Sequence, residues 1–137
     1  MPLPDRDAFL SETRLGILTT IAADGTPISV PVWYEWDGAH ARVFSDKGSA
    51  KIHRIEHDPH ASLLVTNVLG EQEYWVAIDG TMAIRRDGAI ELAERLAARY
   101  WDLGDPGRAA AVQGWREHAD ALVLLELTPT RIRTYGG

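Results

Sequence analysis

The chain has 137 residues, enough for one domain with a buried core and too few for two ordinary ones. Hydrophobic residues make up 45% and charged residues 25%, the balance of a folded protein and not of a disordered or membrane-embedded one. The formal net charge of −6 argues against nucleic acid or an anionic membrane as partner, and the absence of cysteine excludes disulfides, thiolate metal sites and cysteine nucleophiles.

The opening "MPLPDRDAFL" has no basic leader followed by a long apolar run, and no later stretch is long enough to span a bilayer, so a cytoplasmic protein is expected. A short helix is predicted around Asp5 to Ser11. "RLGILTTIA" then reads as a strand apolar on both faces. Asp24-Gly25 is a hairpin signal, since glycine supplies the positive φ of a tight turn. In "PISVPVWYEW", strict alternation puts Ile28, Val30, Val32, Tyr34 and Trp36 on one face of a second strand. A second hairpin signal follows at Asp37-Gly38. "HARVFS", "ASLLVTNVL" and "YWVAIDGTMAIR" read as the third, fourth and fifth strands, and "ALVLLELTPTRIRTY" as the sixth.

"DGAIELAERLAARYW" is predicted helical. Ala89, Leu92, Ala93, Leu96 and Tyr100 make its apolar stripe, while Glu91 and Arg95 sit at helical spacing on the exposed side. "DLGDPGR" breaks it, and a shorter helix is predicted from Ala109 to His118. Strands joined by short hairpins in so small a chain point to an antiparallel sheet closing into a barrel, in one domain spanning residues 1–137.

Both lysines of the chain, Lys47 and Lys51, fall in "SDKGSAKIHRIEHDPHAS". Ser49 is a candidate N-cap of a helix that stops at Asp58-Pro59, which puts Lys51 in the first turn, against the positive end of the helix dipole. A bound phosphate resolves that conflict through backbone N–H groups, the Ser49 hydroxyl and the ammonium of Lys51, with Lys47 beside it and Gly48 allowing close approach. The plain alternative is that Asp46 neutralises Lys47 and both lysines are merely solvated.

"HRIEH" matches the H-x-x-E-H zinc-peptidase pattern with His53, Glu56 and His57. We reject it and expect no metal site, because the helix ends at once and no third ligand is evident. Pro31 removes a ladder donor and reads as an edge or bulge residue; there the backbone of Val30 and Val32 is free to bond a flat ligand. For Tyr74 and Trp75 the readings are aromatic core or a ring-stacking wall. No G-x-S-x-G elbow occurs, so hydrolysis has no sequence support, and no catalytic residue is assigned.

In order and spacing, "AADGTPISVPVWYEWDG", "FSDKGSAKIHRIEHDPHASLLV" and "VAIDGTMAI", the last followed by a helix ending "RYW", resemble the pyridoxamine 5'-phosphate oxidase-like split-barrel proteins. The likeness is strongest to their bacterial branch that uses coenzyme F420, and it runs from about Phe9 to Tyr135. Its most specific element is the S-x-K-hydrophobic pattern opening a helix that closes with Asp-Pro. The resemblance implies a mostly β fold, a six-stranded antiparallel split β-barrel with a few flanking helices, forming a homodimer with a flavin or deazaflavin in each of two interfacial clefts.

By the same resemblance, Lys51 and Ser49 hold the cofactor phosphate, helped by Lys47 and by backbone at Gly48 and Ala50. Val30, Pro31 and Val32 line the ring system, and Trp75 with Tyr74 of a second copy covers the pocket. The implied activity is F420-dependent hydride transfer to a small organic substrate, with FMN the alternative cofactor and a non-catalytic flavin- or haem-binding protein the alternative class. F420-binding members often carry a further Arg or Lys where this chain has Ser49, which leaves Lys47 to substitute. Oxidation of pyridoxamine phosphate is not expected, because "SVPVWYEW" supplies none of the arginines that reaction uses.

Overall fold

The computed structural model describes residues 3–135; the start of the segment inspected for a leader lies outside the described residues. The elements are α1 (Arg6–Ser11), β1 (Gly16–Ile21), β2 (Pro27–Val32), β3 (Glu35–Trp36), β4 (Ala41–Asp46), α2 (Ala50–His57), β5 (His60–Thr66), β6 (Trp75–Arg85), α3 (Ala89–Tyr100), α4 (Pro106–Glu117) and β7 (Leu122–Thr134). Every strand pairing is antiparallel, and the sheet order is β2-β1-β5-β6-β7-β4-β3.

The strand count is seven, not the six expected from the sequence. "PISVPVWYEW" is interrupted at Trp33-Tyr34, so that β2 pairs only with β1 and β3 only with β4. These two strands, adjacent in the chain, are the opposite edges of the sheet. The half-barrel is therefore bridged there by covalent chain instead of a hydrogen-bonded ladder. Tyr100 fills the gap, its hydroxyl accepting from the Tyr34 N–H at 3.4 Å and donating to the Arg14 carbonyl. Tyr34 turns inward, fully buried, and donates its phenolic hydrogen to the Leu10 carbonyl at 2.8 Å. The anticipated alternation survives the break, since Tyr34 and Trp36 are both buried.

Two apolar clusters follow from that curvature. Leu18, Val43, Leu63, Val65, Ile78 and Leu125 fill the half-barrel, plugged by Phe9 and Leu10 of α1 and by Ile52 and Ile55 of α2. Full burial of such a side chain is worth roughly 1.5–3 kcal/mol. Outside the sheet, Ala89, Leu92 and Leu96 of α3 pack on Leu124 of β7, with Trp33, Phe44 and Tyr100 against them. Alternate residues of β7 thus serve separate cores.

The apolar stripe of α3 is as expected, but Arg95 pairs with Glu35 of β3, at 2.8 and 3.1 Å, across the edge of the sheet. Helix α4 begins at Pro106, earlier than the sequence reading, because Asp105 is its N-cap, accepting from the Arg108 N–H at 3.0 Å, and proline is suited to the first helical position. Helix α2 starts and stops as anticipated, with Ser49 and Asp58 as caps, and Arg54 ties it to β1 through a 2.7 Å bond to the Thr20 hydroxyl.

Candidate functional site

The first turn of α2 faces a groove of about 420 Å³ lined by Leu15, Pro31, Val32, Trp33, Phe44, Lys51, Trp101 and Trp115. Pro31 and Val32 belong to the edge strand β2, where a missing donor costs least. Lys51 is half-buried and, among the described residues, has no hydrogen bond or carboxylate partner. Desolvation, then the charge of Arg54, pushes its ammonium below the usual lysine range. In a chain with more acids than bases, this groove is lined by a cation and no acid.

The helix start also lacks a side-chain cap, although the Ile52 N–H donates to the Ser49 carbonyl at 3.1 Å. Ser49 caps α2 by position, yet makes no side-chain hydrogen bond to the helix; its hydroxyl lies 2.8 Å from the Ser45 hydroxyl at the end of β4. The opening N–H groups of α2 are therefore left without a side-chain cap, as an anion-accepting terminus requires. Lys47, Gly48 and Ala50 are exposed on the turn before and at the helix start, adjoining Lys51 in sequence but outside the groove lining. A Cβ at Gly48 would meet nothing within 4 Å, so open space lies beside that backbone.

Other expected site residues lie apart. Val30 is half-buried on β2, next to Pro31 but not in the lining. Tyr74 is 3% exposed and packs edge-on against Phe9, ring centroids 4.8 Å apart, so its ring belongs to the half-barrel core and cannot wall the groove. Its neighbour Trp75 points the other way, to a depression of about 480 Å³ with Leu64, Ala77 and Arg133. Within one chain Trp75 and Lys51 therefore line different depressions.

Most of the aromatic wall was not assigned from sequence. Trp33 stacks on Tyr100 at 5.2 Å with 3° between planes and meets Trp101 edge-on at 4.8 Å. Trp115 stacks on Trp101 at 5.6 Å and tilts against Phe44 at 5.4 Å. Five tryptophans in the composition were the available signal, but the convergence of three of them, Trp33, Trp101 and Trp115, joins the end of β2, the end of α3 and α4. His53 and Glu56 of the rejected zinc pattern lie 3.8 Å apart and exposed on α2.

The fold is a split half-barrel whose helix α2 starts without a side-chain cap, with Lys51 beside an aromatic groove. The family model described as pyridoxamine 5'-phosphate oxidase matches residues 4–136, and the chain belongs to that family. It is 37% identical over 100 residues, 70% of each chain, to an F420H(2)-dependent biliverdin reductase from Mycobacterium tuberculosis (strain CDC 1551 / Oshkosh). Among solved structures it is similar to an F420 reductase, with TM-score 0.77 and 22% identity over 96% of this chain and 98% of the other. It is also similar to a heme binding protein from Mycobacterium smegmatis, with TM-score 0.65 and 22% identity over all of this chain and 56% of the other.

Proposed function

We propose that this chain is a cytoplasmic oxidoreductase that uses coenzyme F420 to reduce a small, conjugated organic substrate. The observation that carries the reading is Lys51, a half-buried cation without a partner among the described residues, facing a groove walled by tryptophan rings. The residues present fit the group: a phosphate would take the Lys51 ammonium and the opening N–H groups of α2, with Lys47 and the Ser49 hydroxyl adjoining. The edge of β2 at Val30, Pro31 and Val32 would meet the polar rim of the ring system. Reduced F420, when bound, supplies a hydride to an electrophilic carbon of the substrate, and a solvent proton completes the reduction. The chain's own part is to bind, orient and keep water from the ring. The relative named for F420H(2)-dependent reduction supports this choice over FMN.

The active form in this reading is a homodimer. Its support is the outer sheet face, where Leu64 is 38% exposed beside the half-buried Trp75. A second copy seated there would put Trp75 near its partner's groove. Sedimentation equilibrium should return twice the chain mass, and Leu64→Glu should lower it to one chain.

Parallel titrations with F420 and FMN test the cofactor. Tighter binding of F420 supports the proposal, tighter binding of FMN favours the flavin alternative, and absence of both at micromolar concentration removes the redox reading. Turnover of reduced F420 with enones and quinones, above the protein-free rate, separates an enzyme from a carrier.

A further inference from the structure

A second cation lies beside the groove, outside its lining. Arg108, in the first turn of α4, lies with its guanidinium carbon 5.6 Å from the centroid of Trp101, one of the groove's rings. Elsewhere Arg14, Arg42, Arg85, Arg95, Arg116 and Arg133 each hold a carboxylate. Arg108, like Arg86 and Arg131, holds none among the described residues, and of these three it is the one in contact with a ring of the groove. The two acids nearest in sequence are committed to backbone: Asp105 accepts from the Arg108 N–H at 3.0 Å, and Asp102 from the Gly104 N–H at 2.9 Å. The Arg108 guanidinium is exposed and within cation–π reach of the Trp101 indole, and its forked N–H donors fit a carboxylate.

We propose that Arg108 is a specificity residue that anchors a carboxylate of the substrate, so that the groove selects planar, conjugated acids over their neutral counterparts. The substrate's ring lies along the tryptophan wall, where stacking is indifferent to charge, and the acid group reaches Arg108 at the rim. Division of labour follows, with Lys51 serving the cofactor and Arg108 the substrate. This inference rests on the oxidoreductase reading above and narrows its substrate class.

The test needs no cofactor. Anthraquinone-2-carboxylate and its methyl ester are titrated against the whole chain, followed by quenching of tryptophan fluorescence. Wild-type protein should bind the acid roughly ten-fold more tightly than the ester, the size of one charge-assisted contact. Arg108→Ala should abolish that preference while leaving ester affinity unchanged, and Arg108→Lys should retain part of it. Equal affinity of acid and ester, or a preference that survives Arg108→Ala, overturns the inference, as does equal weakening of both probes, which would mark Arg108 as packing alone. F420 is titrated beside them: loss of F420 affinity in Arg108→Ala would reassign the residue to the cofactor and overturn the division. Failure of wild-type protein to bind F420 removes the cofactor reading, and the acid and ester comparison still decides the role of Arg108.

Discussion

The hydroxyl of Ser49 lies 2.8 Å from that of Ser45, so the N-cap residue of α2 is bonded to the end of β4 and not to the helix it begins. An uncapped helix start beside an unpartnered lysine is a poor arrangement for stability and a good one for an anion. Ser49→Asp separates the two. The new carboxylate should cap α2 and stabilise the cofactor-free protein by about 1 kcal/mol, seen as a higher Tm. It should also weaken F420 binding at least roughly ten-fold, because it occupies the same N–H groups and repels the phosphate. A stabilised variant with unchanged F420 affinity would move the phosphate elsewhere.

Lys51 should matter more to ligand than to fold. It makes no ion pair among the described residues, so Lys51→Ala removes no internal partner. Loss of a charge-assisted phosphate contact is worth about 1.5–3 kcal/mol of binding. Isothermal titration with F420 should show that loss while the Tm moves little. Unchanged affinity would sink the phosphate assignment.

Acid stability should report on Glu71. Its carboxyl is held at about 2, below its usual 4.5, by the hydrogen bond from Arg14 and then by the Val68 N–H. A depressed folded-state value means stabilisation present above 4.5 and lost as pH falls from there towards 2. Melting curves across that window should fall more steeply for the wild type than for Glu71→Gln. Parallel curves would mean that the ion pair joining the α1–β1 connection to the β5–β6 loop contributes nothing measurable.

Gly80 marks the position where the sheet tolerates least. It follows the register shift between Asp79 and Gly80 on β6, and a Cβ there would overlap the Thr128 carbonyl oxygen of the neighbouring strand. Because the obstacle is backbone, Gly80→Ala should destabilise by at least about 1–3 kcal/mol, measured by chemical denaturation. Gly48→Ala, where no atom lies within 4 Å of the new carbon, is the matched control and should be near neutral. Equal effects at the two sites would overturn the steric account.

The sequence alone determined what depends on neighbours a few residues apart. Asp24-Gly25 and Asp37-Gly38 made their turns, with Gly25 and Gly38 at φ +88° and +94°, because that region of backbone space is open to glycine. The stripe of α3 and the caps of α2 followed from helical periodicity and from Ser49 and Asp58. The sequence left Tyr74 and Trp75 between core and wall, and only packing decided it, with Tyr74 inside against Phe9 and Trp75 in a depression on the other side. The break at Trp33-Tyr34 was equally hidden: an alternating run looks continuous whether or not it must cross from one edge of a curled sheet to the other. The tertiary structure also drew together Trp33 just after β2, Phe44 of β4, Trp101 just after α3 and Trp115 of α4, since ring contacts across such distances in sequence are set by how helices close on a sheet and not by local preference. The proposed phosphate site is built from neighbours in sequence and could be picked out as a candidate directly, whereas the aromatic wall beside it exists only once the chain has folded.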